Sequence, residues 1–304
     1  MAVCGMRFRY PHVVESLILA SAAAERIIVK PRSNPKYDAL FAHYLPRMTK
    51  IITVDESPRN KGADFSDYVR QYHEIEHQSL FLAAFTGKSL EDYMSQWREQ
   101  KPLKAQITSK PQIALLAKPF IVLNFGASFG LRCWPLENYL KLAQSIINNG
   151  ISVVFLGGPS EVMIKQKLSD QLNAFLNING NARALVSINE FSLDQVATLL
   201  AQAQAVVSND TGIVHMAILM RRPTVCVMGA AQYGPFMPYP VSLTVKETRF
   251  IYQLMPCYQC NWQCKFVRAD NKIKTFPCIK DISVECVFTA LQEILGAEND
   301  DSQL

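Results

Sequence analysis

The chain has 304 residues, 49% apolar and 19% charged, with a net charge of +5 and eight cysteines. That length suits two domains or one large one, and that composition builds a packed core rather than a disordered chain. The positive excess is too small and too scattered to argue for nucleic acid, and fits an anionic small molecule or an anionic membrane surface. No run reaches the roughly 18 uninterrupted apolar residues that a membrane span needs.

Near the start, Arg7 and Arg9 precede the apolar stretch Val13 to Ala24. Glu15 interrupts that stretch and Glu25-Arg26 close it, so an amphipathic helix from about Pro11 to Glu25 is expected rather than a secretory signal. A cytoplasmic protein with reduced cysteines is the expectation that follows. Arg26 to Lys30 and Ile51 to Val54 read as strands, and Tyr37 to Tyr44 and Ala63 to Phe85 as helices. Thr86-Gly87-Lys88-Ser89 ends like a phosphate loop but lacks the upstream glycine and the preceding strand; Ser89 reads as an N-cap. Residues 101–119, with repeated lysine and proline, read as a connector holding an edge strand at Gln106 to Thr108. The expected division is a partial first domain over 1–110, a second domain over 118–296 and a disordered acidic tail over 297–304.

Beyond the connector the pattern becomes regular. Phe120 to Asn124, Ser152 to Leu156, Leu185 to Ser187, Ala203 to Val207 and Thr224 to Met228 read as strands. Leu136 to Asn148, Glu161 to Leu176, Ser192 to Ala203 and a short Met216 to Met220 read as helices between and after them, with a last helix at Ser283 to Leu295. This alternation predicts βαβ units on a parallel sheet, an α/β fold.

Three polar turns follow strands of this set: Gly126 to Pro135, Gly157 to Glu161, and Asn209 to Gly212. In a parallel sheet the carboxyl ends of the strands share one edge, where α/β folds hold ligands. The turns offer hydroxyls, a guanidinium, carboxylates and free helix N-termini, a set suited to a nucleoside diphosphate group.

The order Gly-Ala-Ser…Arg-x-Trp-Pro, then Leu-Gly-Gly-Pro-x-Glu, then Ser-Asn-Asp-Thr-Gly-x-x-His resembles glycosyltransferase family 9, the ADP-heptose:lipopolysaccharide heptosyltransferases and relatives, over roughly residues 120 to 295. The resemblance implies a GT-B fold, with two Rossmann-like domains and a nucleotide-sugar donor held mainly by the second. It also implies inverting transfer without a metal cofactor. Carried onto this chain, it puts Ser128 and Arg132 on the diphosphate, Glu161 on the nucleoside, Asp210 on the sugar hydroxyls, Thr211 and Gly212 on the phosphates, and His215 one helical turn further on. Family members often carry lysine at the position of Arg132. The family's first domain opens with a strand, a Gly-rich turn and an aspartate serving as general base. Nothing near Met1 reads that way, so an incomplete first domain is expected, and none of Asp38, Asp55, Asp64 and Asp67 is assigned as base.

Cys257-x-x-Cys260-x-x-x-Cys264, with Cys278 beyond, leaves three readings open: a structural zinc site, reduced thiols, or a disulfide or redox pair. Lys265, Arg268, Lys272 and Lys274 flank the cluster, as a solvated basic loop or a surface for an anionic acceptor. The expected function is sugar transfer from a nucleotide diphosphate donor to a lipopolysaccharide core or other surface glycan, with peripheral contact at the inner face of the membrane. A non-catalytic nucleotide-sugar-binding relative and a nucleotide-sugar isomerase or epimerase are the alternatives.

Overall fold

A computed structural model describes residues 2–4, 26–29, 38–52, 73–99, 101–105, 119–179, 184–234, 236–240, 247–257, 260, 264, 266 and 273–301. The chain divides into two units, Met1–Gln100 with Gly234–Phe236, and Lys101–Tyr233 with Met237–Leu304.

In the first unit, β1 (Ala2–Cys4), β2 (Arg26–Val29) and β3 (Lys50–Ile52) form a parallel sheet in that order. β1 supplies a short strand near Met1 that the sequence did not single out; three residues are too short for an alternating pattern to show. α1 is Asp38–Tyr44, α2 is Glu74–Thr86 and α3 is Leu90–Arg98. His73 caps α2 by accepting from the Ile75 amide at Nδ1, and its Nε2 lies 2.7 Å from the Phe236 carbonyl oxygen. Gly87, at φ +76°, closes α2 in the left-handed region that favours glycine. Ser89 caps α3, its Oγ accepting from the Asp92 amide, so the Thr86–Ser89 stretch is a helix junction and not a phosphate loop. The expected helix at 11–25, the expected strand at 106–108, Asp55, Asp64, Asp67, Lys265, Arg268 and Lys272 lie outside the described residues.

The second unit carries a six-stranded parallel sheet. Its strands are β4 (Phe120–Asn124), β5 (Ser152–Gly157), β6 (Ala184–Ile188), β7 (Ala205–Asn209), β8 (Thr224–Val227) and β9 (Thr248–Ile251). The connecting helices are α4 (Leu136–Asn148), α5 (Lys165–Asn179), α6 (Leu193–Gln202) and α7 (Gly212–Leu219), followed by α8 (Pro277–Lys280) and α9 (Val284–Asp301). α5 is preceded by a 3-10 segment, Pro159–Ile164, which takes in the end of the expected turn and the first residues of the helix expected from Glu161. α9 continues past Leu295 into the acidic segment expected to be disordered, where Ala297 and Glu298 favour helix although Gly296, Asn299 and Asp300 do not.

Alternation along β4 sends side chains to both faces of the sheet. Ile121 and Leu123 pack with Tyr139, Leu142, Ile146, Val287 and Leu291 of α4 and α9. Phe120 and Val122 pack with Val196, Leu199, Leu200 and Ala217 of α6 and α7. Helices cover both faces, which is why the strands read as continuous apolar runs.

Candidate functional site

The strand order of the second unit is β6-β5-β4-β7-β8-β9. From β4 the chain builds outward to β6, then returns to the other side of β4 and builds outward again through β7. The order reverses between β4 and β7, so the turns leaving these two strands diverge and open a crevice at their carboxyl ends. The Gly126–Pro135 turn and the Asp210–Gly212 turn leave from this point.

Buried polar side chains lock the two strand ends together. Asn124, the last residue of β4, donates from Nδ2 to Ser208 Oγ at 2.8 Å and to Thr211 Oγ1 at 3.1 Å. Ser208 Oγ donates to the Asn209 carbonyl at 2.7 Å. Asn209 donates from Nδ2 to the Phe125 carbonyl at 2.8 Å and accepts at Oδ1 from the Trp134 amide at 2.9 Å. Trp134 is 1% exposed, and its indole donates to the Ile282 carbonyl at 2.8 Å. The Trp-Pro element therefore anchors the turn that carries Arg132 to the core.

This network also shapes the start of α7. Thr211 occupies the N-cap position with extended backbone, but its side chain makes no cap hydrogen bond; its hydroxyl is engaged by Asn124 instead. A helix whose first amides lack a side-chain cap presents N–H donors and positive dipole charge to an anion.

Three charged or titratable side chains meet beside that helix start. Arg132 Nη2 donates to the Asp210 carbonyl oxygen at 3.2 Å and lies 3.8 Å from Asp210 Oδ2. His215 Nε2 lies 3.9 Å from Asp210 Oδ1, and its Nδ1 is 2.7 Å from the Tyr239 hydroxyl. Burial pushes the Asp210 carboxyl above its ordinary value, opposed by the charges of Arg132 and His215. Burial also holds His215 below its ordinary value, opposed by Asp210.

Glu161 comes from the neighbouring β5 turn. Its Oε2 accepts from the Gly158 amide at 2.7 Å, capping its own 3-10 segment, while its carboxylate lies against the backbone of Gly126. Burial raises the Glu161 carboxyl, opposed by its backbone hydrogen bonds. Ser128 is exposed in the β4 turn and Gly212 is exposed at the first position of α7. Arg132, Asp210, Thr211 and His215 thus form one connected group, and Glu161 joins the turn that bears Arg132 through Gly126. Asn124, Asn209 and Tyr239 are structural partners that the sequence reading did not assign. Asn124 had a visible signal, a polar residue ending the apolar run Phe-Ile-Val-Leu-Asn; Tyr239 had none.

Cys257, Cys260, Cys264 and Cys278 line one small apolar pocket together with Met255, Phe266 and Phe276. No disulfide joins them among the described residues. Burial raises the Cys278 thiol, and the other three cysteines add to the rise. The sulfurs have the right chemistry for zinc, but among the described residues no three His, Cys, Asp or Glu side chains are gathered as a metal-ligand set. Among the described residues no helix is long and apolar enough to cross a membrane.

The sequence model of glycosyltransferase family 9 (heptosyltransferase) matches residues 39–265. Lipopolysaccharide heptosyltransferase 2 of Escherichia coli (strain K12) is 34% identical over 122 residues, covering 40% of this chain and 32% of that protein. Lipooligosaccharide heptosyltransferase 2 of Campylobacter jejuni subsp. jejuni serotype O:6 is 24% identical over 261 residues, covering 85% of this chain and 76% of that protein. The match thus spans about a third of the length of the Escherichia coli relative and three quarters of the Campylobacter one. Among solved structures, the crystal structure of the glycosyl transferase family 9 from Veillonella parvula DSM 2008 has a TM-score of 0.56 at 17% identity, covering 94% of this chain and 78% of that one. The fold class is α/β of the GT-B type.

Proposed function

The chain belongs to glycosyltransferase family 9, and from that membership we propose that it transfers heptose or a related sugar from an ADP-linked donor to a lipopolysaccharide core or other surface glycan. The observation that carries the reading is the grouping of Arg132, Asp210 and His215 at the uncapped start of α7, where the strand order reverses. The names of the relatives support heptose as the sugar.

In this reading the amides of Thr211 and Gly212 at the start of α7, with Ser128 and Arg132, receive the diphosphate. Asp210 accepts hydrogen bonds from sugar hydroxyls, and Glu161 meets the nucleoside. The acceptor hydroxyl attacks the anomeric carbon on the face opposite the diphosphate, so configuration inverts. As the new C–O bond forms, the bond from the anomeric carbon to the diphosphate oxygen breaks, and ADP leaves with the electron pair. The charge it gains is met by Arg132 and by preorganised amides, the role a divalent ion fills in other transferases. Metal-independent transfer is therefore part of the proposal. The acceptor's proton passes to a base on the acceptor side, where none of the residues assigned here sits.

The four-cysteine pocket is proposed as a structural element of the second unit; metal analysis of the purified protein decides between bound zinc and reduced thiols. Peripheral contact with the inner face of the cytoplasmic membrane, through basic surface residues, fits an acceptor that is lipid-linked.

The test of function is incubation with ADP-heptose and a heptose-deficient lipopolysaccharide core. ADP release, with an increase in acceptor mass equal to one heptose, is the expected outcome. Binding of ADP-heptose without release would mark a nucleotide-sugar-binding protein, and conversion of the donor without any acceptor would mark an isomerase.

A further inference from the structure

Tyr239 lies edge-on to His215, with ring centroids 5.8 Å apart and planes at 75°, and its hydroxyl is 2.7 Å from His215 Nδ1. The Tyr239 ring also meets Phe250 of β9, with centroids 6.5 Å apart. Burial pushes the Tyr239 hydroxyl up to about 12, with Asp210 and Cys226 adding to the rise, so it stays protonated at neutral pH. His215 is held below its ordinary value and is neutral there.

A neutral imidazole carries one ring proton, and the contact with Tyr239 is compatible with either nitrogen bearing it. Asp210 selects between them. Its Oδ1 lies 3.9 Å from Nε2. A lone pair on Nε2 would face carboxylate oxygen, whereas an N–H there is attracted to it. Tyr239 then donates to Nδ1, and the proton resides on Nε2.

The 3.9 Å separation is too long for a direct hydrogen bond. It suits two groups that share a third atom, since an oxygen about 2.8 Å from each fits between them. That oxygen must accept from Nε2–H and donate to Oδ1. A hydroxyl does both; a phosphate or carbonyl oxygen has no proton to give. Arg132 lies on the side of Oδ2, 3.8 Å away, so the shared oxygen belongs to the His215 side of the carboxylate.

We propose that Tyr239 is a positioning residue, which holds His215 as its Nε2–H tautomer so that His215 and Asp210 together recognise one hydroxyl of the transferred sugar. The proposal rests on the donor reading above. It makes this pair a reader of the sugar and not of the nucleotide.

Calorimetric titration of wild type and Tyr239→Phe with ADP-heptose and with ADP separates these roles. The variant should bind ADP-heptose about tenfold more weakly and ADP within about twofold of wild type, the loss expected for one weakened hydrogen bond. An equal loss for both ligands would reduce Tyr239 to a structural support, and no loss for either would remove it; both outcomes overturn the proposal. Ring-nitrogen chemical shifts of His215, assigned by their absence in His215→Asn, give a readout without ligand. Wild type should show the proton on Nε2, and Tyr239→Phe a mixture; a proton on Nδ1 in wild type overturns the proposal. A wild type that binds neither ligand would remove the donor reading itself, and with it the sugar as the source of the shared hydroxyl.

Discussion

The carboxylate of Glu161 occupies the space where a side chain at Gly126 would begin: a Cβ at that position would lie 2.6 Å from Glu161 Oε2 and 2.7 Å from Cδ. Two turns that leave different strands are thereby fitted together by the absence of a single carbon. The atoms that would clash are the far end of a flexible side chain, so the carboxylate yields and the backbone stays. Gly126→Ala should displace Glu161 from the Gly158 amide at a cost of about 1–3 kcal/mol in urea unfolding. ADP affinity should fall about tenfold if the carboxylate meets the nucleoside. Glu161→Ala should show the same loss, and the double variant no more than either single one, because both changes remove one carboxylate from one place. Additive losses would separate Glu161 from Gly126.

Arg132 reaches Asp210 across the strand-order reversal and is the cation proposed for the leaving diphosphate. Arg132→Ala should lower the rate of ADP release about a hundredfold with a smaller change in KM, because the charge it meets develops as the bond breaks. Arg132→Lys should recover most of that rate, as a point charge without the fork geometry. Wild-type rate should persist after exhaustive chelation. A rate that collapses on chelation and returns with a divalent ion would overturn the metal-independent scheme.

Folding stability should fall as pH is lowered through the region below 6.5, the ordinary value for His215. The unfolded chain takes up a proton there while the folded, buried imidazole still resists it, so the unfolded state binds more protons in that window. Asp210 and Glu161, raised by burial, slope the opposite way nearer their ordinary values of 3.8 and 4.5. Subtracting a His215→Asn profile isolates the histidine. A difference profile that is flat between pH 5 and about 6.5 would show that His215 is not held below its ordinary value.

Asn209 is fully buried and joins the Phe125 carbonyl to the Trp134 amide. Asn209→Ala leaves both backbone groups without their partner in a dry place, and should cost about 2–4 kcal/mol in urea unfolding. Asn209→Asp keeps the acceptor for Trp134 but turns a buried carboxylate oxygen toward the Phe125 carbonyl, and should cost at least as much as Asn209→Ala at neutral pH. A change under about 0.5 kcal/mol for Asn209→Ala would place surface-like tolerance where the structure shows a buried bridge.

The residues of the α7 turn were legible because Asp210, Thr211, Gly212 and His215 lie within one short stretch after an apolar strand. The Rossmann-type sheet was legible from β4 to β8, where both faces are covered and the strands read as unbroken apolar runs. β9, Thr-Arg-Phe-Ile, was missed; it is an edge strand with a charged residue in its middle. Glu161 to Ile164, the later part of the 3-10 segment, reads as helix in the sequence because it continues smoothly into α5. The meeting of Arg132 with Asp210 spans 78 positions of sequence, and that of His215 with Tyr239 spans 24. No local periodicity encodes either; the first follows once the strand order is known, and the second only from the packed structure.

A crystal structure of the full chain with ADP-heptose would show where the donor lies. The diphosphate should sit at the start of α7 beside Arg132, the sugar with one hydroxyl between Asp210 Oδ1 and His215 Nε2, and the nucleoside toward Glu161. A donor bound at another edge of the sheet, or with its sugar turned away from Asp210, would contradict that placement.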